Sequence, residues 1–212
     1  MRCSICLKRA NLCRWRSEGR NGYTLYVIGS RDVGRMIEEL RFARPDFILN
    51  SLIGPSSYEF MAAYRALGQE DAHFQPDRCP VLSCNVTECE LPALGQAAEG
   101  LVAAGPYFRG VPGWPGAGSF GSSHEAAAFS AVMELARLLA GREGAENWPL
   151  SQLLEGQGGI VDPETHHTVL PVIIARVEGG AFRALKRQEA VAGDPYLTRS
   201  RSGPAPLLRV VS

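Results

Sequence analysis

Apolar residues along the chain alternate between short runs and a helical period. Residues 23–29, YTLYVIG, read as a short strand; Gly29-Ser30 breaks it, and Ser30 offers a helix N-cap. Val33, Met36, Ile37 and Leu40 then fall at helical spacing, and that helix should end before Pro45. Residues 46–54, DFILNSLIG, form a continuous apolar run, as in a strand buried on both faces. Gly54-Pro55-Ser56-Ser57 reads as a turn, after which Tyr58, Met61, Ala62 and Leu67 suit a helix. Pro76 and Pro80 mark a loop, VLSC (81–84) a strand, ELPALGQAAEG (90–100) a turn or short helix, and LVAAGPYF (101–108) a further strand. Strand and helix thus repeat about every thirty residues, the signature of βαβ units and a parallel sheet. Ligands of such sheets gather at loops beyond the carboxyl ends of the strands. Here those loops are residues 51–57, residues 85–88 and the segment around Tyr107.

The pattern then changes. Residues 109–122, RGVPGWPGAGSFGS, are Gly- and Pro-rich and read as a linker or crossing segment. SHEAAAFSAVMELARLLAG follows as the strongest helix signal, with Ser122 or Ser123 as its cap and Gly141 at its end. Residues 167–177 and 181–185 read as two strands joined by a hairpin turn at Glu178-Gly179-Gly180. Pro171 sets the first of them at a sheet edge or over a bulge. Beyond about Asp194 the tail is rich in Pro, Ser and Arg, with little to bury.

Charge and composition narrow the function classes. Lys plus Arg number 22 and Asp plus Glu 22, so the net charge is zero. That argues against direct nucleic-acid binding along the surface, which needs surplus cations. No stretch approaches the ~20 apolar residues of a membrane span. Residues 1–22 are basic and irregular, and Arg2, Lys8, Arg9, Arg14 and Arg16 leave no apolar segment of a secretory signal among them. As written, the sequence reads as cytoplasmic, and its six cysteines as free thiols.

Candidate chemistry is sparse. Cys3, Cys6 and Cys13 lack the second pair that structural zinc needs. Asp162, Glu164, His166 and His167 look like a turn into a strand, because adjacent strand histidines face opposite sides. Glu88 and Glu90 lie on a ligand-end loop and form a candidate carboxylate pair. Residues 116–121, GAGSFG, match a dinucleotide-binding glycine pattern before a helix, but no strand feeds it and no acidic residue follows at the right distance. No nucleophile elbow, phosphate loop or triad spacing appears, and the reading carries no metal, cofactor or catalytic residue.

Several segments in order resemble a known family. Asp46-Phe-Ile-Leu-Asn-Ser-Leu-Ile-Gly54 with Glu59-Phe60 is similar to the strand and loop "D-V-V-x-S-T-V-V-G" of type I periplasmic solute-binding proteins. The branch it most resembles is the short-chain amide and urea binders: the amide sensor of aliphatic amidase operons and the urea-binding component of ABC importers. Residues 80–90, PVLSCNVTECE, resemble the family's "P-V-x-S-x-S-x-x-E-x-E". Residues 99–108 resemble its "E-G-x-x-x-A-P-Y-F", residues 125–129 its "A-E-A-A-Y" helix, and residues 160–168 its "V-x-x-x-N-x-H". Asp194-Pro-Tyr196 matches a motif near the family's carboxyl end.

The resemblance implies an α/β fold: a Rossmann-like parallel-sheet lobe, with the first lobe of the family's pair incomplete. Residues 23–108 and 158–197 would form lobe two, residues 109–157 a linker and helix of lobe one, and residues 198–212 a tail. It implies a non-enzymatic binder of a small neutral polar ligand, such as a short-chain amide, urea or a related amino acid. Ser51, Gly54, Ser56, Asn85, Thr87, Glu88 and Tyr107 are the ligand-binding residues it marks. Ser51 keeps a hydroxyl where the family has threonine, while Pro55 removes a backbone donor. Implied partners are an ABC permease or an antiterminator regulator, and the helix at 124–140, lacking its lobe, is a surface for association. A broken gene product, or a first lobe supplied by another chain, would account for the missing half. A lost signal peptide would make the parent periplasmic. The alternative function is a small α/β nucleotide-binding enzyme using residues 116–121.

Overall fold

Short apolar runs separated by helices build a six-stranded sheet in sequential order. The computed structural model describes residues 3–4, 32–114, 119–155, 159–191 and 193. Strands β1 (Cys3–Ser4), β2 (Phe47–Asn50), β3 (Val81–Ser83) and β4 (Val102–Gly105) pair in parallel. β5 (Leu170–Glu178) and β6 (Ala181–Val191) complete the sheet antiparallel. The expected α/β class with a mostly parallel sheet is what the chain adopts. Cys3–Ser4 is a strand, where an irregular start was expected for residues 1–22. The strand expected at 23–29, the Ser30 cap and the tail beyond Asp194 lie outside the described residues.

Helix α1 (Val33–Ala43) buries Met36 and Leu40, as its spacing predicts, and its N-cap is Asp32. β2 is shorter than its apolar run and alternates: Ile48 and Asn50 are buried, Phe47 and Leu49 half-buried. A strand buried on both faces was expected. Asn50 ends it instead, because its side chain bonds the Leu52 amide two residues on and turns the chain.

Helix α2 (Pro55–Glu70) starts three residues before the expected helix, so Ser56 and Ser57 belong to its first turn rather than to a free turn. Gly54, at φ 58°, supplies the cap conformation. Pro55 sits at the first helical position, where a missing N–H costs nothing. Phe60, Met61, Tyr64 and Leu67 then pack onto Ile48, Val81, Leu101, Ala103, Ile173, Ala175 and Val177 of the sheet region. The Tyr64 hydroxyl donates to the Cys79 carbonyl at 2.6 Å, and burial pushes its ionisation far above the ordinary phenol range. Two ion pairs, Arg41–Glu70 and Arg44–Asp71, tie the carboxyl ends of α1 and α2 together.

Short helix α3 (Leu91–Leu94) precedes β4. The β5–β6 hairpin turns on Gly179 and Gly180, whose φ values of 60° and 77° fit a type I′ turn. Pro171 lies at the register shift between Leu170 and Val172, so it marks a bulge and not a sheet edge.

Helix α4 (Ser123–Leu139) stands apart from the sheet core. Ser122 caps it, and Gly141 follows it at φ 70°. Leu138 packs with Ala145 and with Leu153 and Leu154 of α5 (Leu150–Leu154), and Ala126 with Tyr107 and Phe120. Among the described residues, the buried clusters that α4 joins are separate from that of the sheet.

Candidate functional site

The carboxyl ends of β2 and β3 open into adjoining loops, and a cavity of about 290 Å³ lies between them. That is the low end of the range for small-molecule pockets. Leu52, Ile53, Gly54, Ser57 and Tyr58 form one wall, and Cys84, Asn85, Val86, Thr87 and Glu90 a second. Ser123 and His124, at the amino end of α4, close a third side.

Asn50 organises the first wall. It is fully buried, its Oδ1 accepts from the Leu52 amide at 3.0 Å, and its Nδ2 donates to Ser57 Oγ at 3.0 Å. The Leu52 N–H settles the amide's orientation, since only the oxygen can accept it. Ser57 therefore receives a proton on its oxygen and keeps its own to offer. A ligand oxygen able to accept a hydrogen bond is what that hydroxyl matches.

The second wall is a self-bonded turn. Glu90 accepts from the Thr87 amide at 2.7 Å and the Thr87 hydroxyl at 2.8 Å, and Thr87 Oγ1 accepts from Cys89 N. Asn85 Nδ2 donates to the Ser51 carbonyl at 3.2 Å, which joins the two loops. One oxygen of the Glu90 carboxylate, Oε2, takes both bonds from Thr87, and the other polar side chains of these two walls, Ser57, Tyr58, Asn85 and Thr87, carry hydroxyl and amide groups. Leu52, Ile53 and Val86 add aliphatic surface.

Of the residues marked from sequence, the cavity brings together Gly54, Asn85 and Thr87. Ser51 lies beside it and meets Asn85 through its backbone. Ser56 is buried in the first turn of α2. Glu88 turns away: its Oε1 accepts from the Arg109 amide at 2.6 Å, so Glu88 and Glu90 serve different partners and do not act as a pair. Tyr107 is 5% exposed; its hydroxyl donates to the Phe120 carbonyl at 2.8 Å and accepts from the Phe120 amide at 2.9 Å. That tyrosine holds the crossing segment together with Trp114 and Phe120. Sequence reasoning missed Ser57, Ser123 and His124. Ser57 adjoined a marked serine and was assigned to a turn, whereas nothing local links positions 123 and 124 to residue 54.

The glycine-rich alternative fares differently. Residues 116–118 lie outside the described residues. At the helix that follows, Glu125 accepts from the Gly121 amide at 2.6 Å and Ser122 Oγ from the Glu125 amide. A carboxylate of the helix itself thus takes the amide just ahead of its amino end. Asp162 accepts from the amides of Glu164 and Thr165, so residues 162–167 form the expected turn. Among the described residues no group of three or more His, Cys, Asp or Glu is arranged to hold a metal. No helix among them is long and apolar enough to cross a membrane.

A family model described as "periplasmic binding protein domain" matches residues 17–128. Solved structures share the fold. A solute-binding protein of an ABC transporter from R. palustris, in complex with 4-hydroxybenzoate, is 16% identical with a TM-score of 0.60, over 89% of this chain and 60% of that one. A branched-chain amino acid ABC transporter protein from Thermus thermophilus with bound valine is 12% identical with a TM-score of 0.59, over 89% and 60%. The leucine-, isoleucine-, valine-, threonine- and alanine-binding protein of Brucella ovis, in its closed conformation, is 13% identical with a TM-score of 0.63, over 91% and 59%. This chain therefore spans about three fifths of the length of these relatives. No curated protein matches the sequence. Proteins of this group bind solutes and catalyse no reaction.

Proposed function

The chain belongs to the periplasmic binding protein family, with the mostly parallel α/β sheet of its type I fold, and from that premise we propose that it supplies one wall of a binding site for a small neutral polar solute. The ligand class is a short-chain amide, urea or a small aliphatic amino acid. The observation that carries this reading is the Asn50–Ser57 pair, which leaves the Ser57 hydroxyl its own proton to donate at a cavity with polar and aliphatic lining. A carbonyl or carboxylate oxygen meets Ser57, and a short alkyl part meets Leu52, Ile53 and Val86. The bound valine of the Thermus relative fits the same description.

Residues 23–108 and 158–197 make up the ligand-bearing lobe in this reading, and residues 109–157 a crossing segment. The separate buried clusters of the sheet and of α4 support that division. The liganded protein serves an ABC permease at the membrane or, in the sensor version, releases an antiterminator partner. The family's periplasmic members make the periplasm the compartment of the transport version.

A cavity open to solvent on one side binds a small solute weakly. The test is therefore titration of the labelled chain with acetamide, urea, valine and benzoate, followed by amide chemical shifts. Binding in the millimolar range is expected for the amides or valine, with shifts confined to residues 52–58, 84–90 and 123–124. Ser57→Ala should weaken it about tenfold, the loss of one good hydrogen bond. Shifts located elsewhere, or an S57A variant that binds as the parent does, would overturn the reading.

A further inference from the structure

A series of hydrogen bonds runs from the loop that walls the cavity to the helix that closes it. Glu88, next to Thr87 of the second wall, faces away from the cavity, and its Oε1 accepts from the Arg109 amide just beyond β4 at 2.6 Å. The Arg109 guanidinium donates to the Gly121 carbonyl at 3.0 Å. The Gly121 amide donates to Glu125 Oε2 at 2.6 Å, and the Ser122 hydroxyl caps α4 by accepting from the Glu125 amide. Ser123 and His124, which close the third side of the cavity, lie between these bonds. The sequence that separates the ends of the series, GVPGWPGAG (110–118), has no apolar period to fix its path, so bonds at its two ends set where α4 begins. Glu88 is poorly placed for a purely stabilising role. Its Oε2 is buried with no hydrogen-bond partner among the described residues. A dry carboxylate oxygen costs stability, and such placements persist where position matters more.

We infer that Glu88 is a positioning residue for the cavity: through Arg109 and Gly121 it holds the amino end of α4 against the loops that follow β2 and β3. This rests on the reading of that cavity as the solute site. Ser123 and His124 meet the solute only while the clasp is closed. Coupling of this kind is carried by contiguous bonded links, and here each link is a named pair. The Tyr107 hydroxyl, which holds the amide and carbonyl of Phe120, runs beside the clasp and joins residues 107 and 120 without touching the cavity loop. The links stand in series, which makes them separable from independent contacts. Breaking the first and the second together should displace α4 no further than the larger single effect.

Amide chemical shifts of the labelled 212-residue chain, first without solute and then with valine, test the clasp. Without solute, Glu88→Ala and Arg109→Ala should each move the amides of Ser123 and His124 and leave residues 52–58 as in the parent. Arg109 is exposed, so R109A reports even where E88A fails to fold. The double variant should move Ser123 and His124 no further than the larger single effect. Glu88→Gln keeps an acceptor oxygen for the Arg109 amide and should return both amides to the parent positions. With valine, E88A and R109A should each weaken binding about fivefold, the loss of one hydrogen bond. Ser123 and His124 amides indifferent to E88A and R109A overturn the proposal. So does a double variant whose displacement is the sum of its singles, an E88Q variant displaced as far as E88A, or valine binding unchanged in both single variants. If the amides respond as expected and no solute binds, the clasp stands and the solute reading falls. If valine binds and the amides stay put, the clasp falls and the solute reading stands.

Discussion

Asn50→Ala tests whether the loop after β2 is held by one buried side chain. Asn50 is 0% exposed and makes two bonds of 3.0 Å, to the Leu52 amide and to Ser57 Oγ. Truncation strands both partners in a dry site. A buried donor left without an acceptor costs about 1–3 kcal/mol, and the serine hydroxyl, which loses a donor but keeps its own proton to give, costs less. The small void adds a further fraction, so the expected loss is about 3 kcal/mol, against about 5–15 kcal/mol for a whole domain. Ser57→Ala removes one partner only and should cost about 1–2 kcal/mol. The double variant should be less destabilised than the sum by about 1 kcal/mol, since the shared bond can be lost once. Urea unfolding followed by tryptophan fluorescence reads all of these, with the slope against denaturant unchanged. The reasoning is refuted if N50A costs under about 1 kcal/mol, or if the two substitutions add without coupling.

Three further outcomes follow from other contacts. Tyr64→Phe removes the donor to the Cys79 carbonyl and should cost about 1–2 kcal/mol in urea unfolding; in the parent, alkaline titration at the phenolate absorbance should show one tyrosine that ionises only as the protein unfolds, because burial raises it. Gly100→Ala should cost about 2–4 kcal/mol, since φ is 81° there and an added Cβ would come within 2.4 Å of Pro76 Cβ; a variant melting with the parent would contradict this. Hydrogen bonds from Arg137 and Arg44 hold the carboxyls of Glu134 and Asp71 below their ordinary 4.5 and 3.8. Their contribution to stability is therefore complete above those values and lost as pH falls through the lowered ones, and E134Q should flatten the acid limb of a melting-temperature profile.

What could be read in the chain divides along the range of the forces involved. Helical spacing at Val33, Met36 and Leu40 reports burial on one face directly, and α1 follows it. The glycine pair at 179–180 can only turn one way, and the hairpin follows from that. The mostly parallel sheet came from the strand–helix repeat, since parallel strands require crossovers. The errors share a cause. At residues 46–57 composition suggested an apolar strand and a polar turn. The buried Asn50 ended the strand early, and Pro55 began the helix early, each through a bond or a missing bond that hydrophobicity does not encode. The same stretch decides which serine lines the cavity. Ser51 and Ser56 have the right chemistry, but the helical first turn buries both Ser56 and Ser57, and it is Ser57 that lines the cavity. Tyr107 is marked through the family resemblance of residues 99–108. Its two bonds to Phe120, thirteen positions on, come from a glycine-rich crossing whose path no local pattern describes. The same crossing brings Ser123 and His124 to a pocket otherwise made from residues 52–90. The third side of the cavity is thus reached through the segment with the weakest sequence signal. The dependence runs both ways, because α4 reaches the pocket with one end and exposes its apolar stripe along the rest.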